Sequence, residues 1–135
     1  MVNKKYLLDT NIVSDGSKIS PSQNVKDKLD LFCNYCKISA VTWYELQKGI
    51  KRMNDGRKKK FLKAYVQEQV FQLYEILPYD KECADIQSDI YSKMEKNGSP
   101  IPYQDSQIAA TALANNLVLV TRNTKDFLSI QDFFR

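Results

Sequence analysis

The sequence contains no histidine. That absence removes Ser-His-Asp and Cys-His nucleophilic schemes. It also removes metal-independent RNA cleavage run on a histidine acid–base pair, and zinc held by imidazole. Glycine is scarce, with four residues in the whole chain, and neither GxGxxG nor GxxxxGK[ST] occurs. A nucleotide-binding enzyme is therefore poorly supported. The three cysteines, Cys33, Cys36 and Cys83, are an odd number, which argues against a disulfide framework. Cys33 and Cys36 form a C-x-x-C pair, but a zinc site needs two more ligands and only one cysteine remains. A redox pair belongs at a helix start, whereas this one falls between a helix and a strand. All three thiols read as buried small hydrophobes. No apolar run approaches a membrane span, and no secretory signal is visible. A cytoplasmic location with no membrane partner is expected.

What is present suits one soluble domain spanning residues 1–135. Hydrophobic residues make up 43% and charged residues 27%, enough apolar surface for a core without staples. The net charge of +4 decides little, but its distribution is uneven. Lys48, Lys51, Arg52, Arg57, Lys58, Lys59, Lys60 and Lys63 crowd into one stretch with Asp55 as the only acid. Such a run suits a polyanion such as nucleic acid, and it equally suits two solvated helix ends. Lys48, Lys51, Arg52, Lys58 and Lys59 are the candidate RNA contacts.

Apolar periodicity orders the elements. Tyr6-Leu7-Leu8 reads as a short buried strand. A helix opened by Pro21 carries Val25, Leu29 and Phe32 on one stripe. Lys37 to Val41 reads as a second strand. Thr42 then caps a helix with Glu45 three residues on, the capping-box spacing. Asn54-Asp55-Gly56 is a turn, and a longer helix runs from about Arg57 to Tyr74. Glu75 to Tyr79, containing Ile76 and Leu77, suggests a third strand that Pro78 weakens or ends. Asp80 caps the next helix, which Asn97-Gly98 terminates. Pro100 to Gln104 forms an extended loop before a small-residue helix from Asp105 to Ala114. Leu117 to Thr121 is the clearest buried strand, and Ile130 to Phe134 suggests a last one. Strands alternating with helices predict a parallel sheet with right-handed crossovers. The fold expected is a three-layer α/β/α sandwich around a central, mainly parallel sheet of four to five strands.

On that sheet the acids fall in matching places. Asp9 ends the first strand, Glu45 opens the helix after the second, and Asp105 opens the helix leading to the fourth. Asn123 and Asp126 lie just past the fourth strand's end. Sites in open α/β sheets form outside the carboxyl ends of strands. Each acid also has a structural explanation of its own: a helix cap at Asp9, a capping box at Glu45, a helix dipole at Asp105. Gathered together, the carboxylates repel one another unless a cation is present. Mg²⁺ or Mn²⁺ fits, because it takes hard oxygen ligands, keeps waters and binds substrate phosphates. It lowers the pKa of bound water and supplies a nucleophile without histidine.

Four segments carry a resemblance: Asp9-Thr10-Asn11, Ser39 to Leu46 around Glu45, Asp105-Ser106-Gln107-Ile108-Ala109-Ala110, and Thr121 to Phe127. In order and spacing the whole chain resembles a PIN domain, and specifically the VapC-type toxins of toxin–antitoxin pairs. The resemblance implies a Mg²⁺- or Mn²⁺-dependent endoribonuclease acting on structured RNA, transfer RNA foremost. It implies a homodimer and a cognate VapB-type antitoxin. Asp9, Glu45 and Asp105 match the three core metal-binding acids. The fourth family acid falls where this chain has Asn123, and Asp126 stands slightly further on as its substitute. Asn11 and Thr121 match polar positions around the metal, as does Asn123. A PIN-like module that binds RNA or protein without cutting is the alternative. A phosphoacceptor receiver domain of similar shape needs paired acids after the first strand, and here Leu8 precedes Asp9.

Overall fold

The computed structural model describes residues 5–18 and 23–122. The elements run β1 (Tyr6–Leu8), α1 (Thr10–Asp15), α2 (Gln23–Phe32), a 3₁₀ turn (Cys33–Tyr35), β2 (Cys36–Ser39), α3 (Ala40–Arg52), α4 (Arg57–Ala64), a π turn (Tyr65–Val70), α5 (Phe71–Leu73), β3 (Glu75–Leu77), α6 (Lys81–Lys96), α7 (Tyr103–Ala114) and β4 (Val118–Val120). The four strands form one parallel sheet in the order β3-β2-β1-β4. The expected opening of α2 at Pro21, the Val25 side chain and the last strand at 130–134 lie outside the described residues.

Alternation along β1 divides the core. Leu8 faces Ile12, Val13, Ile38, Leu46, Ile50, Val66 and Val70, so α1, α3 and the π turn cover that face. Leu7 faces Val41, Ile108 and Ala112 on the other side. There α6 and α7 pack through Ile90, Met94, Ala109 and Ala110, small residues that let the two helices approach closely. Helices thus cover both faces of the sheet, the layered parallel arrangement expected from the strand–helix alternation.

Three differences from the sequence reading bear on the site and the helices around it. First, β2 ends at Ser39 rather than Val41, and Ser39 is the cap of α3, accepting from the Thr42 N–H at 3.0 Å. Ser39 holds extended backbone, while Ala40, the best helix former, already belongs to the helix. Glu45 therefore sits in the second turn, beyond capping-box reach. Second, α7 begins at Tyr103, since Pro102 supplies the extended residue before it. Third, the helix from Arg57 contains a π turn, whose extra residue turns Val66, Val70 and Tyr74 inward and leaves Phe61 and Leu73 exposed.

Two caps follow the sequence. Asp80 accepts from the Cys83 N–H at 3.0 Å to start α6. Gly98, at φ 70°, follows its last turn, in the left-handed region that glycine enters without steric cost. No helix among the described residues is long and apolar enough to cross a membrane.

Candidate active site

Parallel pairing carries the ends of β1, β2 and β4 to one edge of the sheet. Leu8 pairs with Val120, and the Asp9 N–H donates to the Val120 carbonyl at 2.9 Å. This fixes Asp9 beside Thr121. The Thr121 hydroxyl donates to Asp9 Oδ2 at 2.7 Å, and the Thr10 N–H donates to Asp9 Oδ1 at 2.7 Å. Asp9 does cap α1, as its structural explanation holds. Yet it is only 4% exposed, and no basic side chain pairs with it among the described residues. A carboxylate that accepts one bond on each oxygen keeps unused lone pairs.

Glu45 is brought to Asp9 by a residue that the sequence reading left out. The Thr10 hydroxyl donates to Glu45 Oε1 at 2.6 Å and lies 3.1 Å from the Thr42 hydroxyl. Ser39 Oγ stands 3.3 Å from that same Thr42 hydroxyl. With Thr10's one proton given to Glu45, the neighbouring hydroxyls line up behind it, and Thr42, expected as a cap, serves as an inner member of this chain. A threonine directly after a strand-ending acid was the available signal.

Asp105 lies half-buried in the first turn of α7. The end of α7 joins β4 through a short turn, with the Leu117 N–H bonded to the Ala112 carbonyl at 2.9 Å. So α7 runs against the strands and its first turn lies toward their carboxyl edge. Among the described residues no three acidic or thiol side chains close into a metal-binding group. Asp9, Glu45 and Asp105 thus form no complete cage by themselves. Asn123 and Asp126 lie outside the described residues. Asn11 is exposed on α1.

A second buried acid shares α1. Asp15, 1% exposed, accepts from Arg122 Nη1 at 2.8 Å and lies 3.4 Å from Lys18 Nζ. The sequence reading singled out neither Asp15 nor Arg122. Next to it the Tyr65 hydroxyl donates to the Val13 carbonyl at 2.6 Å. Burial first, and the Asp15 charge second, hold that phenol above its ordinary range, so it remains a neutral donor.

The basic run divides between α3 and α4. Lys51 and Arg52 are exposed in the last turn of α3, where the helix dipole favours them. Lys48 Nζ lies 5.3 Å from the centre of the Tyr44 ring. Lys58 is exposed in the first turn of α4, and Lys59 pairs with Asp55 at 3.3 Å. The cysteines are all free: Cys36 and Cys83 are buried and Cys33 is half-buried.

The PIN domain family matches residues 6–132. The toxin FitB of Neisseria gonorrhoeae is 34% identical over 126 residues, covering 91% of each chain. The tRNA(fMet)-specific endonuclease VapC of Shigella flexneri is 29% identical over 124 residues, covering 91% of this chain and 89% of that one. The crystal structure of FitAcB from Neisseria gonorrhoeae superposes with a TM-score of 0.85 at 32% identity, over 93% of both chains.

Proposed function

Because the chain belongs to the PIN-domain family, we propose that it is a VapC-type toxin: an endoribonuclease that depends on Mg²⁺ or Mn²⁺ and cuts structured RNA. The observation that carries this reading is the buried Asp9 carboxylate, paired with no basic side chain among the described residues and joined through Thr10 to Glu45. The donor set suits a hard divalent ion, which needs only one or two carboxylates and fills its remaining positions with water and phosphate oxygens.

Asp9, Glu45 and Asp105 would hold the cation, with Asp126 or Asn123 as the fourth position. Bound there, the ion supplies Lewis acidity toward a phosphodiester and lowers the pKa of a water. The protein's own work is orientation. Thr121 fixes Asp9 by its hydroxyl, and Thr10 fixes Glu45, so neither carboxylate turns away from the shared edge. Asn11 is in reach of that edge from the first turn of α1. Lys48, Lys51, Arg52, Lys58 and Lys59 attract the RNA backbone.

The toxin name of the gonococcal relative supports a cognate VapB-type antitoxin as partner. The Shigella relative's name supports transfer RNA as substrate. A homodimer in the cytoplasm completes the reading, with the chain as a single PIN domain.

The test is cleavage of total transfer RNA by the purified protein with Mg²⁺, with Mn²⁺ and with EDTA, beside Asp105→Asn. Discrete fragments that require metal and vanish in the variant are expected. A variant that cuts at the wild-type rate would sink the assignment. One observation favours the second reading, a binder that does not cut: no three acids among the described residues close into a metal group. Tight RNA binding with intact RNA in every lane would favour it.

A further inference from the structure

Beside the carboxylate edge, the end of α1 and the turn between α3 and α4 enclose a groove of about 600 Å³. Met53, Phe61 and Leu62 give it apolar walls, and Lys18, Arg57 and Lys58 surround them. No acidic side chain among the described residues lines it. Phe61 is 59% exposed on α4, while its neighbours Leu62 and Tyr65 pack against the core. An exposed phenyl ring among three cations suits a ligand that offers both a π face and negative charge.

The groove adjoins a depression that includes Arg122, the chain neighbour of Thr121, whose hydroxyl bonds Asp9. Lys18 lines it and also lines an adjoining depression of about 350 Å³ together with Asn11, Ser14 and Arg122. Asn11 is two residues from Asp9. Lys18 and Arg122 are both anchored by the buried Asp15, so two cations are held on one acid and the depression keeps a net positive charge. A track of positive charge thus leads from the acidic edge over α1 to an apolar groove.

The geometry points to an RNA subsite there. Phosphates of the strand leaving the cleavage site follow Arg122, Lys18 and Arg57, and one unpaired base of that strand enters the groove and stacks on Phe61. An alternation of cations and an exposed aromatic ring is what single-stranded RNA requires, since its bases offer π faces and its backbone offers charge. This rests on the ribonuclease reading above and adds a subsite outside the acidic centre, with Phe61 as a substrate-positioning residue.

The test uses the full chain and two measurements. Binding of a fluorescein-labelled single-stranded RNA is followed by anisotropy in EDTA, and metal-dependent cleavage is followed in parallel. Phe61→Ala should weaken binding about tenfold, and Phe61→Trp should restore it. In cleavage the same loss should appear in KM with kcat held. Arg57→Gln should reduce the slope of log affinity against log salt by about 0.7. Phe61 is largely exposed, so the melting temperature of Phe61→Ala should match wild type, which separates stacking from folding.

If Phe61→Ala binds and cuts RNA as wild type does, the subsite is overturned while the ribonuclease reading stands. If the wild type neither binds nor cuts RNA, the ribonuclease reading fails first and the subsite fails with it. If Phe61→Ala handles RNA normally but escapes neutralisation by the cognate antitoxin, the groove is a protein-docking face and the proposal is overturned.

Discussion

The Thr10 hydroxyl donates a 2.6 Å hydrogen bond to Glu45, 35 positions away in sequence. It joins the residue that follows Asp9 to the second turn of α3, so two carboxylates on different elements share one support. Thr10→Val keeps the branched shape and deletes the bond. RNA cleavage should fall about 10- to 100-fold, the usual cost of losing a partner that orients a ligand, with little change in melting temperature. Initial rates at saturating Mg²⁺, beside a thermal scan, check this. An unchanged rate would show that Glu45 needs no such support.

Asp9 makes a second case. Asparagine caps helices as well as aspartate does, so Asp9→Asn should fold normally, or melt higher once the buried charge is gone. Cleavage should disappear. Thermal scans with MgCl₂ isolate the metal from the RNA chemistry. Wild type should gain roughly 10 °C at a hundredfold excess over Kd, and Asp9→Asn should gain almost nothing. Equal gains in both proteins would remove Asp9 from the metal site.

Asp15 and Arg122 tie α1 to the segment after β4 through a 2.8 Å contact. Arg122→Ala should cost about 1–3 kcal/mol in urea unfolding, because a buried carboxylate loses a charged donor while Lys18 remains. Asp15→Asn together with Arg122→Ala should cost less than the two changes summed, since they share one interaction. Strict additivity in the double-mutant cycle would mean the pair carries no coupling.

The buried thiol of Cys36 gives a pH prediction. Burial first, and the neighbouring Cys33 second, push it up to about 11 from an ordinary 9.0. The folded state therefore holds this proton more tightly than the unfolded chain does. The stabilising contribution is complete below pH 9 and is lost as pH rises toward 11. Unfolding experiments across that window should show stability falling, and falling less in Cys36→Ala. At pH 8 a thiol reagent should modify Cys33 in the native protein and spare Cys36 and Cys83.

Much of this was legible in the sequence because it is written in local signals. Leu7-Leu8 announces a buried strand and Leu117 to Val120 a parallel one, though β4 is less buried than its apolar run suggests, with Val118 44% exposed; Asp80 with Cys83, or Asn97 with Gly98, announces helix ends. The order of Asp9, Glu45 and Asp105 along the alternating elements follows from topology alone. What escaped the reading depends on contacts between distant segments. Thr10 looks like a turn residue until α3 packs beside it. Asp15 and Arg122 are ordinary surface residues until the end of β4 lies against α1. Ser39 and Thr42 compete for one cap, and only the backbone at Ser39 decides between them. The π turn has no sequence signature that periodicity would detect, since a single surplus residue barely disturbs an apolar stripe.

That surplus residue has a consequence for how the chain tolerates length changes. The Tyr65–Val70 turn sets the rotational phase between α4 and the core, with Tyr65 bonded to Val13 and leaning on Gly16, where a Cβ would collide with its hydroxyl. Deleting one residue within it would restore regular helical spacing, yet it would turn α4 by about 100° about its own axis relative to Val66 and Val70. Phe61 and Lys58 would leave the groove while the sheet and the acidic edge stayed as they are. In this helix an insertion or deletion would change which side chains face the groove without changing the sheet.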